Sequence, residues 1–186
     1  MAPRRLSYVL LSGLAASIPD ALYPAEPPVM GPPGAPVAVE VYCDFLCPIC
    51  ADSRPALRRL LQAHPGQVRF VMRYFPVHAQ SGRVAEAAAC AADQGKFWEM
   101  REYLFDRQRT LSEMAVLQEA RLLGMDGARF ERCVMSGVHA AEWQRDRARG
   151  RALGVSGTPS FVVGKQMFEG LNEAALDRAI RRELRR

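Results

Sequence analysis

The pattern of apolar and polar positions predicts a strand, a helix and a second strand at the start of the folded region. Residues 37-VAVEVYCDF-45 and 67-QVRFVMRYF-75 are rich in β-branched and aromatic residues, which is typical of strands. Residues 48–64 between them repeat leucines at helical spacing. Pro48 lies in the first turn, where proline is tolerated, and Pro55 should kink the helix.

The middle of the chain is almost wholly helical in pattern. Five helices are predicted, over residues 83–94, 96–108, 110–124, 126–136 and 138–153. Thr110 and Glu113 have the spacing of a capping box at the start of the third of them.

The end of the chain predicts two short strands and a last helix. Residues 160–164 and 166–170 form the strands, with a turn at Gly164-Lys165 between them. Asn172 can cap a helix that runs to the C-terminus.

This order of elements predicts an α/β protein with one mixed sheet flanked by helices. A β-α-β start over residues 37–78 and a β-β-α finish over 154–186 can share a sheet. The helices of residues 79–153 then form an inserted helical domain.

The first 36 residues are expected to lie outside this domain. Arg4 and Arg5 precede a weakly apolar run ending in small residues, which predicts a signal peptide over residues 1–17 and hence export to the periplasm or another extracytoplasmic space. The alternative is a disordered start. Residues 18–36 hold seven prolines, which predict an extended linker excluded from the fold.

Composition and charge exclude some classes of function. Hydrophobic residues make up 49% and charged residues 24% of 186 residues, as in globular proteins with a substantial core. The net charge is +5, but the arginines alternate with acidic residues. The dense cluster 181-RRELRR-186 suits a helix C-terminus. No nucleic-acid partner is expected.

Three of the five cysteines lie in 43-CDFLCPIC-50. Cys47 and Cys50 form a C-x-x-C dithiol that can exchange a disulfide. Cys47 would lie at a strand-to-helix junction, where the helix N-terminus favours a thiolate and can lower a cysteine pKa from about 8.5. We therefore expect Cys47 to be an exposed nucleophile, and Cys50, one turn further on, to be the more buried resolving thiol.

The same stretch also has the spacing C-x₃-C-x₂-C, which could hold an iron–sulfur cluster, or copper with the distant His139. Three features argue against a cluster: Pro48 resembles a helix start, Ile49 replaces the usual aromatic residue, and no series of βα units follows. The chain's three histidines show no ligand spacing and are expected to be surface or capped residues. Without a cluster, Cys43 is a small buried residue of the first strand.

The sequence resembles the DsbA-like group of thioredoxin-fold thiol–disulfide oxidoreductases from about Val37 to Ile180. The resemblance is carried by 44-DFLCPIC-50, 73-RYFPVHA-79, 94-QGKFW-98 and 154-GVSGTPSFVVG-164. It implies a thioredoxin fold with an inserted helical domain. It also implies that Pro159 is cis and faces the dithiol, and that the backbone of Thr158 pairs with an extended substrate peptide.

Two positions depart from the family pattern. Many relatives carry a buried acid six residues before the first cysteine, but Val41 stands there, and Glu40 should point to the opposite face of the strand. Strongly oxidising members have histidine in place of Ile49. A milder oxidant is therefore expected.

The remaining cysteines, Cys90 and Cys133, lie in predicted helices of the insertion. They could form a structural disulfide or remain two separate buried thiols, and the sequence does not choose between these. An apolar rim suited to unfolded substrates is expected around the dithiol from Tyr42, Phe45, Leu46 and Phe75.

The function expected from these features is thiol–disulfide exchange with cysteines of exported proteins, as an oxidase that a redox partner resets. No metal or organic cofactor is required, since the disulfide is the redox group. Membrane attachment would need an uncleaved N-terminus. The alternatives are a reductase or isomerase on the same fold, a non-catalytic peptide-binding module, and a metal or cluster protein using Cys43, Cys47 and Cys50.

Overall fold

The computed structural model describes residues 27–186. Within them one sheet holds five strands in the order β1-β3-β2-β4-β5, namely β1 (Val29–Met30), β2 (Val37–Cys43), β3 (Val68–Tyr74), β4 (Ser160–Val163) and β5 (Gln166–Glu169). Seven helices accompany it, α1 (Pro48–Ala63), α2 (Ser81–Ala92), α3 (Phe97–Asp106), α4 (Glu113–Leu122), α5 (Gly127–Ser136), α6 (Ala140–Ala152) and α7 (Glu173–Glu183). The predicted α/β class with a mixed sheet is confirmed.

The two strands beside the central strand β2 run in opposite directions. It runs parallel to β3 and antiparallel to β4. Val39 and Val41 are fully buried in the sheet's core face, against which Leu57 of α1 is also buried. Because Tyr42 pairs with Ser160, the loop that follows β2 and the loop that precedes β4 meet at the same end of these two strands.

The linker prediction is wrong for its last part. Val29 and Met30 pair with the outer side of β3 and form an edge strand. A proline-rich segment can do this because an edge strand leaves half of its N–H groups unpaired. Gly31 then turns away at φ 100°, where a Cβ would lie 2.7 Å from the Val68 carbonyl oxygen. The predicted signal peptide and residues 18–26 lie outside the described residues.

The predicted helices are all present, with shifted ends. The helix expected to start near Thr110 begins at Glu113, because Ser112 is the residue that caps it and accepts a hydrogen bond from the Ala115 N–H. Asn172 caps α7 as predicted. Between residues 27 and 186 none of the helices has the length and apolar character needed to span a membrane.

A disulfide joins two helices of the insertion. Cys90 of α2 and Cys133 of α5 are bonded, with their Cα atoms 5.9 Å apart. Of the two alternatives that the sequence left open, the structure contains the bonded pair. The link closes a sequence separation of 43 residues across the helical domain.

Candidate active site

Cys47 lies between the sheet and helix α1. It is the N-cap residue, with extended backbone angles (φ −82°, ψ 118°), and Pro48 begins the helix as predicted. Its thiol donates a hydrogen bond to the Thr158 carbonyl oxygen at 3.2 Å. The Thr158–Pro159 peptide bond is cis. The C-P-I-C segment therefore faces the proline loop at the end of the sheet where β2 ends and β4 begins.

Cys50 lies behind Cys47, one helical turn further into the protein. Its side chain is fully buried, and its thiol is free, as are those of Cys47 and Cys43. Burial raises the pKa of Cys50, and a hydrogen bond with the Cys43 side chain raises it further. The thiol of Cys50 is therefore held in its protonated form until it meets a base.

Cys47 differs from the expectation of an exposed, acidified thiol. Only 7% of the residue is exposed. The hydrogen bond with Cys50 and burial raise its pKa, while a hydrogen bond with the Thr158 side chain lowers it in part. The lowering of the Cys47 pKa expected from the helix N-terminus is thus outweighed by the neighbouring thiol and by burial under the Thr158 loop. That loop is too distant in the sequence for a local motif to predict the contact.

Gln108 is a site residue that the sequence did not identify. Its side-chain amide donates hydrogen bonds to the carbonyl oxygens of Phe45 at 2.7 Å and Cys47 at 2.9 Å. The residue follows α3, so it ties the insertion to the active-site loop. At the end of a predicted helix, nothing in the sequence distinguishes it from a solvent-exposed glutamine.

The Asp44 side chain holds the same active-site loop in place through hydrogen bonds. Its buried carboxylate accepts hydrogen bonds from the backbone N–H groups of Leu46, Val77 and His78. It also accepts one from the Ser81 hydroxyl and contacts the His78 ring. A carboxylate with this many partners is a structural centre of the site.

The predicted apolar rim is largely wrong. Tyr42 and Phe75 are buried edge to face against each other, because α6 covers them at Gly150. Phe45 is also buried. Leu46 does line a cavity near the dithiol, and Ile49 is 53% exposed between the two cysteines of the motif.

The described residues give no support to a metal or cluster centre in the C-x₃-C-x₂-C stretch. Among residues 27–186, the one group of three potential ligands whose atoms converge within 4.8 Å is Cys90, Cys133 and His139, and its two sulfurs are already bonded to each other. Of the histidines expected to be surface or capped residues, His139 and His64 are buried with their rings against carboxylates.

A C-x-x-C at a strand-to-helix junction, facing a cis-proline loop on a mixed sheet, defines the class of thioredoxin-fold thiol–disulfide oxidoreductases. The family model described as thioredoxin matches residues 25–182. The chain therefore belongs to the thioredoxin family. Its fold is that of the DsbA-like members.

Two solved structures illustrate the similarity. A thioredoxin-like oxidoreductase from Silicibacter pomeroyi DSS-3 is 29% identical, with a TM-score of 0.76 over 89% of this chain and 96% of that one. The thiol-disulfide exchange protein alpha-DsbA2 from Wolbachia pipientis shares the fold at 20% identity, with a TM-score of 0.72 over 83% and 86% of the two chains.

A longer relative carries a similar segment. The protein named Na(+)/H(+) antiporter NhaA 3 from Salinispora tropica is 37% identical over 187 residues, which is 97% of this chain and 28% of that protein. The chain thus spans about 28% of the length of the first curated relatives that it matches.

Proposed function

We propose that this protein exchanges a Cys47–Cys50 disulfide with the cysteines of exported proteins, in the direction of an oxidase. The observation that carries the proposal is the hydrogen bond from the Cys47 thiol to the Thr158 carbonyl oxygen. It brings the sulfur of the N-cap residue of α1 to the backbone of the cis-proline loop. Cys50 lies directly behind as the second thiol of the pair.

In the oxidised protein, a substrate thiolate attacks the Cys47 sulfur. The Cys47–Cys50 bond breaks, Cys50 leaves as a thiolate and then takes a proton, and a mixed disulfide joins the substrate to Cys47. A second substrate thiolate attacks the substrate sulfur of that bond and releases Cys47. Two electrons have passed to the dithiol, and a redox partner must remove them before the next turnover.

Substrate binding is assigned to Thr158, Pro159 and a neighbouring cavity. The Thr158 carbonyl faces the reacting sulfur, so a peptide that pairs with the Thr158 backbone would lie along the proline loop beside Cys47. Near the dithiol is a cavity of about 380 Å³, whose lining includes Leu46, Gln108, Leu111, Val116 and Leu117. Its mainly apolar wall suits side chains of an unfolded substrate.

The disulfide Cys90–Cys133 supports an oxidising compartment, because structural disulfides persist outside the reducing cytosol. This supports a location in the periplasm or another extracytoplasmic space. The relative named as an antiporter supports action beside a membrane, since there a similar segment forms about a quarter of a transporter's length.

A reductase or isomerase is the second candidate, and one observation favours it. The pKa of both thiols is raised, at Cys47 by the hydrogen bond with Cys50 and by burial, and at Cys50 by burial. A dithiol that does not ionise readily stabilises its reduced form less, which makes the disulfide a weaker oxidant.

The test uses a reduced, unfolded substrate protein with several cysteines, incubated with the oxidised protein. An oxidase forms disulfides in this substrate stoichiometrically, and a Cys47→Ser variant forms none. If the wild-type protein leaves the reduced substrate unchanged but reduces a disulfide-bonded one, the reductase assignment replaces the oxidase.

A further inference from the structure

A histidine of the helical insertion lies beside the disulfide that joins α2 to α5. Cys90, Cys133 and His139 place two sulfurs and a ring nitrogen within 4.8 Å of one another. Cys90 and His139 are buried, and Cys133 is partly exposed. Thiolate sulfur and imidazole nitrogen are the ligands that zinc prefers in proteins. The group therefore has the chemistry of a zinc site, and it takes no part in the exchange proposed for the C-P-I-C segment.

Asp93, the C-cap residue of α2, adds a fourth ligand atom. Its Oδ2 atom lies 2.9 Å from Nε2 of His139 and 3.9 Å from Sγ of Cys133. Tetrahedral zinc, with bonds of about 2.0–2.3 Å, spaces its ligand atoms roughly 3.3–3.8 Å apart, so both separations need only small shifts. The Asp93 side chain is 27% exposed, so it can turn towards the sulfurs.

A second carboxylate holds the imidazole in the orientation that a metal ligand requires. Nδ1 of His139 lies 3.0 Å from Oε2 of Glu142, in the first turn of α6. Zinc-bound histidines usually donate their other ring N–H to a carboxylate, which fixes the tautomer and raises the basicity of the ligating nitrogen. With Glu142 on Nδ1, Nε2 is the nitrogen of His139 that is available to a metal beside Asp93.

The state of the two cysteines decides whether this group can bind a metal. In the disulfide form each sulfur is bonded to the other, and His139 is held by Asp93 and Glu142 without a metal. Before that bond forms, Cys90 and Cys133 are two thiols on neighbouring helices, with Cα positions that are 5.9 Å apart in the bonded protein. Thiolates held side by side in a partly buried site repel each other, and a divalent cation between them offsets that repulsion.

We propose that the reduced insertion binds one zinc ion through four side chains, those of Cys90, Cys133, His139 and Asp93. Forming the disulfide expels the ion. Glu142 is a positioning residue that acts through the imidazole. Helices α2 and α5 are thus joined in both states, by zinc in the reduced protein and by the disulfide in the oxidised one. The inference does not depend on the reaction proposed for the C-P-I-C segment.

Replacing zinc by the disulfide requires an oxidant, and a small disulfide such as oxidised glutathione is of the right chemical class. The partly exposed Cys133 thiolate attacks one glutathione sulfur, and the other glutathione leaves as a thiolate. The Cys90 thiolate then attacks the Cys133 sulfur, the Cys90–Cys133 bond forms, and the second glutathione leaves. Two electrons have passed from the cysteines to glutathione. Zinc keeps its charge and dissociates because it has lost both sulfur ligands.

The experiment uses the full chain and zinc chloride as the probe. The protein is reduced with a phosphine, which has no thiol to compete for the metal, and is freed of reductant without oxygen before zinc is added. The zinc content after dialysis gives the stoichiometry, and competition with a chromophoric chelator gives the affinity. X-ray absorption at the zinc edge counts the sulfur ligands. Oxidised glutathione is then added, and zinc release is followed beside peptide mapping of the new disulfide.

One zinc ion per reduced chain is expected, with two sulfur ligands and two nitrogen or oxygen ligands, and none in the disulfide form. Glu142→Gln should weaken zinc binding by about 10- to 100-fold, because it removes the carboxylate behind the ligating histidine. His139→Gln should weaken it further, because a ligand is lost. The matched control is Glu131→Gln, which neutralises an exposed carboxylate of α5 and should leave the zinc affinity unchanged.

The thiols of the C-P-I-C segment are the competing ligands for zinc. The double variant Cys47→Ser with Cys50→Ser should keep the wild-type zinc stoichiometry and affinity, and the double variant Cys90→Ser with Cys133→Ser should lose both. The reverse result, or three sulfur ligands in the wild-type protein, would overturn the proposal, since the metal would then lie at the C-P-I-C segment.

Two further results would overturn the proposal even if the variant without Cys90 and Cys133 fails to fold. The first is a reduced wild-type protein that keeps no zinc through dialysis. The second is an equal zinc affinity in Glu142→Gln and Glu131→Gln, since the imidazole would then not be a ligand held by Glu142.

Discussion

Cys47 and Thr158, which are 111 residues apart in the chain, are joined by a hydrogen bond of 3.2 Å from thiol to carbonyl oxygen. The pairing of β2 with β4 holds these two loops together. The contact shelters the Cys47 sulfur, and under the proposed function a substrate peptide that pairs with the Thr158 backbone would replace this hydrogen bond.

The roles of the two thiols predict opposite results for their serine variants. Cys47→Ser should form no adduct with a peptide disulfide, because the attacking sulfur is missing. Cys50→Ser should accumulate a stable mixed disulfide on Cys47, because the resolving thiol is gone. Intact mass after acid quench measures both, and a stable adduct on Cys50 in Cys47→Ser would reverse the assignment.

Gln108→Ala should lower the free energy of unfolding by about 1–2 kcal/mol, since it leaves the Phe45 and Cys47 carbonyl oxygens without their side-chain donor. It should also speed alkylation of Cys47 by loosening the loop. The matched control is Gln94→Ala, which removes a glutamine that also makes two backbone hydrogen bonds, to Asp126, away from the dithiol. Equal alkylation rates in the two variants would show that Gln108 does not shape the site.

The double variant Cys90→Ala with Cys133→Ala should be less stable by about 4 kcal/mol, the chain-entropy value for the 43-residue separation. The measurement is urea unfolding of wild-type and variant proteins under the same redox conditions. The redox potential of Cys47 and Cys50 should not change, because the bond lies within the insertion. A loss below about 1 kcal/mol would mean that the disulfide constrains the unfolded chain little.

His139 should make stability pH-dependent. Its hydrogen bond to Glu142, helped by a second to Asp93, raises its pKa to about 9 from 6.5. A raised folded-state pKa gives stability that is full below about pH 6.5 and lost as the pH rises through about 9. We expect a loss of about 1–2 kcal/mol, discounted because both carboxylates are partly exposed.

Urea midpoints at about pH 6 and about pH 9.5, on either side of this window, test the effect for the wild-type protein and for His139→Gln. The difference between the two proteins should be largest at the lower pH and should narrow at the higher one. A constant difference would mean that the imidazole is neutral throughout.

Much of the fold could be predicted from the sequence because its signals are local. The strand residues of 37–45, the proline at the start of α1 and the cap at Asn172 each act over a few positions. The C-P-I-C pair and its place at a strand-to-helix junction followed for the same reason.

What the sequence missed depends on contacts between distant segments. Val29 and Met30 form a strand only because β3 offers an open edge. Tyr42 and Phe75 are buried by α6, so their burial does not appear in a local pattern. The pKa of Cys47 is likewise raised by the neighbouring Cys50 and by burial, whereas the local motif indicated a pKa lowered by the helix N-terminus.

The central claim is that Cys47 and Cys50 interconvert as a redox pair. Its most direct test is a titration of the protein in graded glutathione buffers, followed by alkylation of free thiols and mass measurement. One reversible two-thiol step at Cys47 and Cys50 is expected, with Cys43 alkylated only after unfolding. A potential well above about −270 mV would agree with an oxidase, and a lower one with a reductase. Two sulfurs that never interconvert as a pair would contradict thiol–disulfide exchange at Cys47 and Cys50.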